Sequence, residues 1–324
     1  MSSHPAPWDV GRLPAAPGKH FLVTGGNAGI GYFVAEQLAG TGATVILGSR
    51  DPAKAETAAL SIRGRVPGAR VRHVPLDLAD PASVEAGVRA LRLESLDAVV
   101  CNAGVLLDHP PRCETPDGHE LMFATNHLGH FALVARLAPL LAAAPAARVV
   151  TTGSLTARSE TLDLDDLHSV GDYRPKRAYA RSKLAQMLFG FELDRRLRAA
   201  GATTASVVTH PGGALDCLTP SRPVRPRTAG ERLRGLPAGL LLQGKEAAAW
   251  PAVRAVLDPS VRGGQLWGPR VLGMRGRPVL EPLRGQMADA ELAGRLWAVS
   301  AALTGLDPFA DASGGPRPVS RRKR

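Results

Sequence analysis

Cysteine is scarce in this chain. Three residues, Cys101, Cys113 and Cys217, are spread through 324 positions with no CxxC pair and no metal-ligand spacing. A disulfide framework and a zinc site are therefore not expected. Aromatic residues make up only 4% of the sequence, and lysine is rare beside arginine. No apolar run reaches the length that spans a bilayer, and no charged start followed by an apolar stretch opens the chain. A cytoplasmic location is the resulting expectation. The formal charge of +11 lacks a matching cluster, because the arginines are scattered and the densest basic run is Arg321 to Arg324. Nucleic acid is not an expected partner, although an anionic surface contacting the tail is an alternative to plain solvation. No internal repeat is present.

The remaining composition is that of a globular protein, with 44% hydrophobic and 21% charged residues. Residues 1–18 are proline-rich and aperiodic, and read as a flexible lead. From residue 19 onward, short apolar runs alternate with longer helical patterns. The runs HFLVT (20–24), ATVILG (43–48), ARVRHV (69–74), LDAVVC (96–101), ARVVTT (147–152), TASVVT (204–209) and GGQLWGP (263–269) predict strands. Helices are predicted near 30–40, 51–62, 81–92, 119–143, 175–200 and 287–302. Near-continuous Val/Ile/Leu strands alternating with helices predict a doubly wound α/β fold, with about seven parallel strands and helices on both faces. Residues 19–305 form this single domain. A proline- and arginine-rich excursion over 212–245 interrupts it as a mobile loop near the substrate, and 306–324 reads as a basic, disordered tail.

The first strand runs into TGGNAGIG (24–31) and then into a helical pattern. Gly25, Gly29 and Gly31 permit the tight turn and close backbone approach that a dinucleotide pyrophosphate needs over a helix N-terminus. The second strand ends in Ser49 and Arg50, about 20 residues on. An arginine there favours the 2′-phosphate of NADP(H) over the 2′-hydroxyl of NAD(H). The neighbouring Asp51 opens DPAKAE and reads as a helix N-cap instead. Asp77 follows the third strand, where it can accept from an adenine amino group. Asn102, Ala103 and Gly104 follow the fourth.

TGGNAGIG, CNAG, NHLGH, TTGS and YARSK, in that order over roughly residues 19–212, resemble the short-chain dehydrogenase/reductase superfamily. LGSRDPAKAE, ETPDGHELMFATNHLGHF and YARSKLAQMLFGFEL are similar to its branch of retinol dehydrogenases, WW-domain oxidoreductases and protochlorophyllide reductases. The resemblance implies a catalytic tetrad of Asn126, Ser154, Tyr179 and Lys183. Tyr179 would exchange a proton with the substrate oxygen. Lys183, one helical turn away, would lower the phenol's pKa and hold the nicotinamide ribose. Ser154 would stabilise the substrate oxygen, and Asn126 would support a relay water. The cofactor set implied by the resemblance adds Asn27, Ile30, Leu78, Pro211 and Gly212. His127 and His130 flank Asn126 and read as helix-packing or surface histidines, with a catalytic histidine as the alternative. Three departures from the family pattern stand out: Cys101 in place of an asparagine, a long stretch ARSETLDLDDLHSVGDY before Tyr179, and a threonine displaced to Thr219.

These readings predict an NADP-dependent oxidoreductase acting on a small-molecule carbonyl or alcohol. The alternative is a nucleotide-sensing protein of the same fold without turnover, which loss of Tyr179 or Lys183 would have favoured. Assembly into homo-oligomers, common in the superfamily, is left open by the residues.

Overall fold

The computed structural model describes residues 8–309 except 108, 110, 172, 229 and 231–235. The chain begins with β1 (His20–Thr24), α1 (Gly29–Ala39), β2 (Thr44–Ser49), α2 (Pro52–Arg65), β3 (Arg70–Pro75) and α3 (Pro81–Ala90). It continues with β4 (Ala98–Cys101), α4 (Leu121–Phe123), a π-helical segment (Ala124–Leu128), α5 (Gly129–Ala142), β5 (Arg148–Thr152), α6 (Pro175–Ala199) and β6 (Ala205–Thr209). The helix starts have a local cause. Asp51 and Asp80 accept hydrogen bonds from Lys54 N and Ala82 N, and Pro52 and Pro81 follow them in the first helical turn.

Beyond β6 come β7 (Ala214–Leu215), β8 (Gln243–Gly244), α7 (Lys245–Ala248), α8 (Trp250–Leu257), β9 (Leu266–Val271), β10 (Arg275–Glu281) and α9 (Ala290–Thr304). The main sheet has eight strands in the order β10-β9-β6-β5-β4-β1-β2-β3. Every pairing is parallel except β10 with β9. The sheet thus gains one strand over the sequence expectation, and that strand is antiparallel. Arginines and Pro278 hide β10 in the sequence; an edge position and a register shift between Arg275 and Pro278 make the proline tolerable.

Alternate residues of each strand face opposite layers. Phe21 and Val23 pack with α1, α2 and α8, whereas Leu22 packs with α3, α5 and α6. Because β1 lies between β2 and β4, strand order reverses beside it, and the crevice at that point lies beyond the carboxyl ends of the strands. Parts of both expected flexible ends are packed. Ala16 N donates to Thr41 O at 2.8 Å, Arg254 lies over the Trp8 ring, and the Phe309 ring meets that of Trp297. Residues 1–7 and 310–324 lie outside the described residues. No described helix is long and apolar enough to cross a membrane.

Candidate active site

The turn between β1 and α1 uses Gly25 and Gly29 at φ of +64° and +59°, a region that side chains disfavour. Gly31 serves a different purpose, since a Cβ there would sit 2.4 Å from both Asn102 Nδ2 and Gly25 O. The loop is braced by Thr24, which sequence reasoning missed. Its Oγ1 accepts from Asn102 N at 3.0 Å and Ala103 N at 2.9 Å, and Asn102 Nδ2 donates to Thr24 O at 3.0 Å. Cys101, buried at the end of β4, offers its carbonyl to Gln186 Nε2 at 3.1 Å.

A cleft of about 530 Å³ opens above this turn. The glycine loop contributes Gly25, Asn27, Gly29 and Ile30, and β2 contributes Ser49 and Arg50. Asp77 and Leu78 follow β3 into it, and Asn102, Ala103 and Gly104 follow β4. Its volume lies within the range of small-molecule and cofactor sites. The glycine cradle leaves backbone N–H groups at a helix N-terminus, so the residues present fit a dinucleotide. Asp77 keeps one carboxylate oxygen for a ligand, because the other accepts from Ala79 N at 3.0 Å. Asp51 also lines the cleft, and it caps the start of α2. Its two oxygens take Lys54 N at 3.0 Å and Lys54 Nζ at 3.2 Å, and these bonds hold its carboxyl below the usual range. Arg50 is exposed at the rim.

Gly31, Tyr179, Lys183, Pro211 and Gly212, all expected to touch cofactor, do not line this cleft. Gly104 is the junction to the tetrad. A Cβ on it would lie 3.2 Å from Asn126 Oδ1 and 3.3 Å from Lys183 Nζ. Lys183 is buried and donates to Thr152 O at 2.9 Å and Gln186 Oε1 at 2.8 Å. Burial lowers its pKa to about 8. Ser154 lies just past β5, where its Oγ pairs with Thr156 Oγ1 at 2.9 Å. The Tyr179 phenol is pushed above its ordinary value by burial, against the lowering effect of Ser154. The lowering expected of Lys183 is not among the influences on that phenol; within the chain's own residues, desolvation dominates.

Asn126 is fully buried in the π-helical segment. Its Nδ2 donates to Val105 O at 3.1 Å and Ser182 Oγ at 2.9 Å, and its Oδ1 accepts from Val105 N at 2.8 Å. The side chain thereby fixes the strand-end loop that contains Gly104. His130 sits a turn later, with Nδ1 at 3.0 Å from Asn126 O and Nε2 at 2.9 Å from Thr24 Oγ1. A carbonyl only accepts, so Nδ1 holds the proton and Nε2 accepts from the threonine hydroxyl. Burial drops the pKa of both His127 and His130 to about 3. Both are neutral packing residues, as expected.

Gly212 adopts φ +69°, and a Cβ on it would lie 2.4 Å from Met274 O, so the Pro211–Gly212 turn is seated against the β9–β10 connection. The displaced Thr219 does not line the main cleft. Its Oγ1 donates to Leu215 O at 2.7 Å and accepts from Lys245 N at 2.9 Å, which ties the excursion to the start of α7. Arg222, within the excursion expected to be a mobile loop, is instead buried against Glu36 of α1 through two 2.8 Å bonds. Arg225 and Lys245 also line the cleft. No local signal in the sequence linked these residues to the glycine loop.

Residues 19–163 match the family model described as short chain dehydrogenase. The protein named polyprenol dehydrogenase from Mus musculus is 41% identical over 300 residues, covering 90% of this chain and 86% of that one. Retinol dehydrogenase 13 from Homo sapiens is 36% identical over 294 residues, again covering 90% and 86%. Among solved structures, an uncharacterised protein from Mycobacterium paratuberculosis superposes with a TM-score of 0.76 at 33% identity, covering 93% of this chain and 98% of that one. The chain belongs to the short-chain dehydrogenase/reductase family, in the retinol dehydrogenase branch, and is a hydride-transfer oxidoreductase of the kind that uses a nicotinamide cofactor.

Proposed function

We propose that the protein is an NADP(H)-dependent oxidoreductase that interconverts a carbonyl and an alcohol on an apolar, lipid-like substrate. The observation that supports this most directly is the convergence of Lys183 Nζ and Asn126 Oδ1 on Gly104, at the end of the glycine-turn cleft. Gly25, Gly29 and the N–H groups of α1 would hold the pyrophosphate, and Arg50 the 2′-phosphate. When bound, the nicotinamide ring supplies or takes the hydride.

Tyr179 is the general acid in reduction. Burial keeps its phenol protonated at neutral pH, ready to donate to the substrate oxygen. Ser154 hydrogen-bonds that oxygen as negative charge develops on it. Lys183 would hold the ribose hydroxyls. Asn126 fixes the Gly104 loop and supports the water through which the proton is replaced. The preference for NADP(H) rests on Arg50 at the cleft rim, with Asp51 occupied by Lys54. The apolar substrate class is supported by the names of the relatives, polyprenol dehydrogenase and retinol dehydrogenase 13.

The test is Tyr179→Phe, assayed with NADPH across retinoid, isoprenoid and simple ketone or aldehyde substrates. Turnover is expected to fall by about 10³-fold or more while NADPH binding persists. Undiminished turnover in the variant would overturn the assignment.

A further inference from the structure

We infer that the excursion between β6 and α7 belongs to the cofactor site, and that Arg225 and Lys245 bind the dinucleotide's pyrophosphate together with the glycine turn. This inference rests on the cofactor reading above and extends it to residues that no family motif contains.

Charge and placement carry it. Arg225 and Lys245 line the same cleft as Gly25, Asn27 and Gly29. A second, smaller recess at the N-terminal end of α1 again places both cations with Gly29 and Phe33. They therefore stand at the glycine-turn side of the cleft, where the helix N-terminus already favours an anion. Among the described residues, one carboxylate pairs with both. Asp216 meets Arg225 at 3.0 Å, Arg227 at 2.5 Å and Lys245 at 2.6 Å. Arg227 is nearly enclosed, whereas the Arg225 side chain is 65% exposed and that of Lys245 21%. One negative charge against three positive ones leaves a surplus of two, offered to the cleft by the two more exposed partners.

The described stretches that flank Arg225 and precede Lys245 are anchored at Arg222 and Thr219. Arg222 makes its buried two-pronged pair with Glu36, on the helix whose N-terminus borders the cleft. Lys245 N is fixed by Thr219 Oγ1 at 2.9 Å. Diphosphate recognition normally draws on backbone N–H groups alone in such a turn. Two cations brought by a distant segment add charge-assisted bonds to it.

The experiment measures equilibrium binding of NADPH, NADH, ADP and adenosine to the wild-type protein and to Arg225→Ala, Lys245→Gln and the double variant. Thermal melting checks that each variant is folded, and Arg225→Lys is the charge-keeping control. Each charge removed is expected to weaken NADPH, NADH and ADP alike by about tenfold. Adenosine, which has no phosphate, should bind as before, and Arg225→Lys should recover most of the loss. Unchanged NADH and ADP binding in the double variant would overturn the inference. A loss confined to NADPH would overturn it too, by moving the two cations to the 2′-phosphate. A wild-type protein that binds none of the dinucleotides would sink the cofactor reading and this inference together.

Discussion

Lys183 Nζ donates to Thr152 O across 2.9 Å, joining the middle of α6 to the last residue of β5, two positions before Ser154. That bond sets where the ammonium stands and excludes water from it. Burial without a carboxylate partner lowers the Lys183 pKa to about 8, from 10.5. Between those values the unfolded chain binds more protons than the folded one, so stability rises with pH across that window. Below about pH 8 the folded protein bears the whole cost of a buried charge. Lys183→Met removes the titration. Chemical denaturation at intervals from pH 7 to 10 should show the wild type gaining stability relative to the variant as pH climbs from about 8. A difference between the two that stays constant over this range would refute the buried ammonium.

Ser154 tests the substrate side of the same strand end. Its Oγ pairs with Thr156 Oγ1 at 2.9 Å in a half-buried position, so removing it disturbs no buried core. Ser154→Ala should lower kcat by about 10²- to 10³-fold and leave NADPH affinity unchanged. The phenol also loses the one influence that lowers its pKa. Any alkaline limb in the pH–rate profile should therefore move upward. A normal kcat in the variant would remove Ser154 from the reaction.

Cofactor choice is addressed at Arg50. Its neighbour Asp51 is bound to Lys54 at 3.0 and 3.2 Å. Arg50→Asp replaces the proposed 2′-phosphate partner with a carboxylate suited to a 2′-hydroxyl. The ratio of kcat/KM for NADPH over NADH should fall by about 100-fold or more, most of it through the loss of a charge-assisted contact. An unaltered ratio would place the discrimination elsewhere in the cleft.

How far the sequence could foresee this depended on the range of each interaction. Asp51 and Asp80 announce α2 and α3 because capping is local, and the aspartate–proline pairs act within one turn. Gly25 and Gly29 are legible for the same reason, since their backbone angles belong to one loop. Thr24 looked like an ordinary strand residue, yet it binds both Asn102 N and Ala103 N, 78 and 79 positions on. His130 is similar: its partner Thr24 stands 106 residues upstream, and only the packed sheet brings them together. The excursion misled most. Its prolines and arginines have the composition of a solvated loop, and Arg222 contradicts that through a partner 186 positions away. Composition reports average solvation, whereas a buried ion pair is a property of one contact.

That contact yields the remaining prediction. Arg222 Nε and an Arg222 terminal nitrogen each lie 2.8 Å from a Glu36 oxygen, with both side chains largely buried. Glu36 also accepts from Tyr32 Oη at 2.9 Å, a phenol that burial pushes up to about 12 and so keeps protonated as a donor. Arg222→Ala leaves this carboxylate enclosed with Arg65 Nε, at 3.5 Å, as its nearest remaining cation. Stranding one member of a buried pair costs about 3–5 kcal/mol, while replacing both members with neutral groups costs far less. Arg222→Ala should therefore lower Tm by several degrees, and Arg222→Met combined with Glu36→Gln should recover most of the loss. The single variant should also weaken dinucleotide binding, because Arg225 and Lys245 lose the anchor that holds their segment on α1. Calorimetry and NADPH titration on the same three proteins check both effects. A single variant as stable as the double one would show that the pair does not hold the excursion to α1.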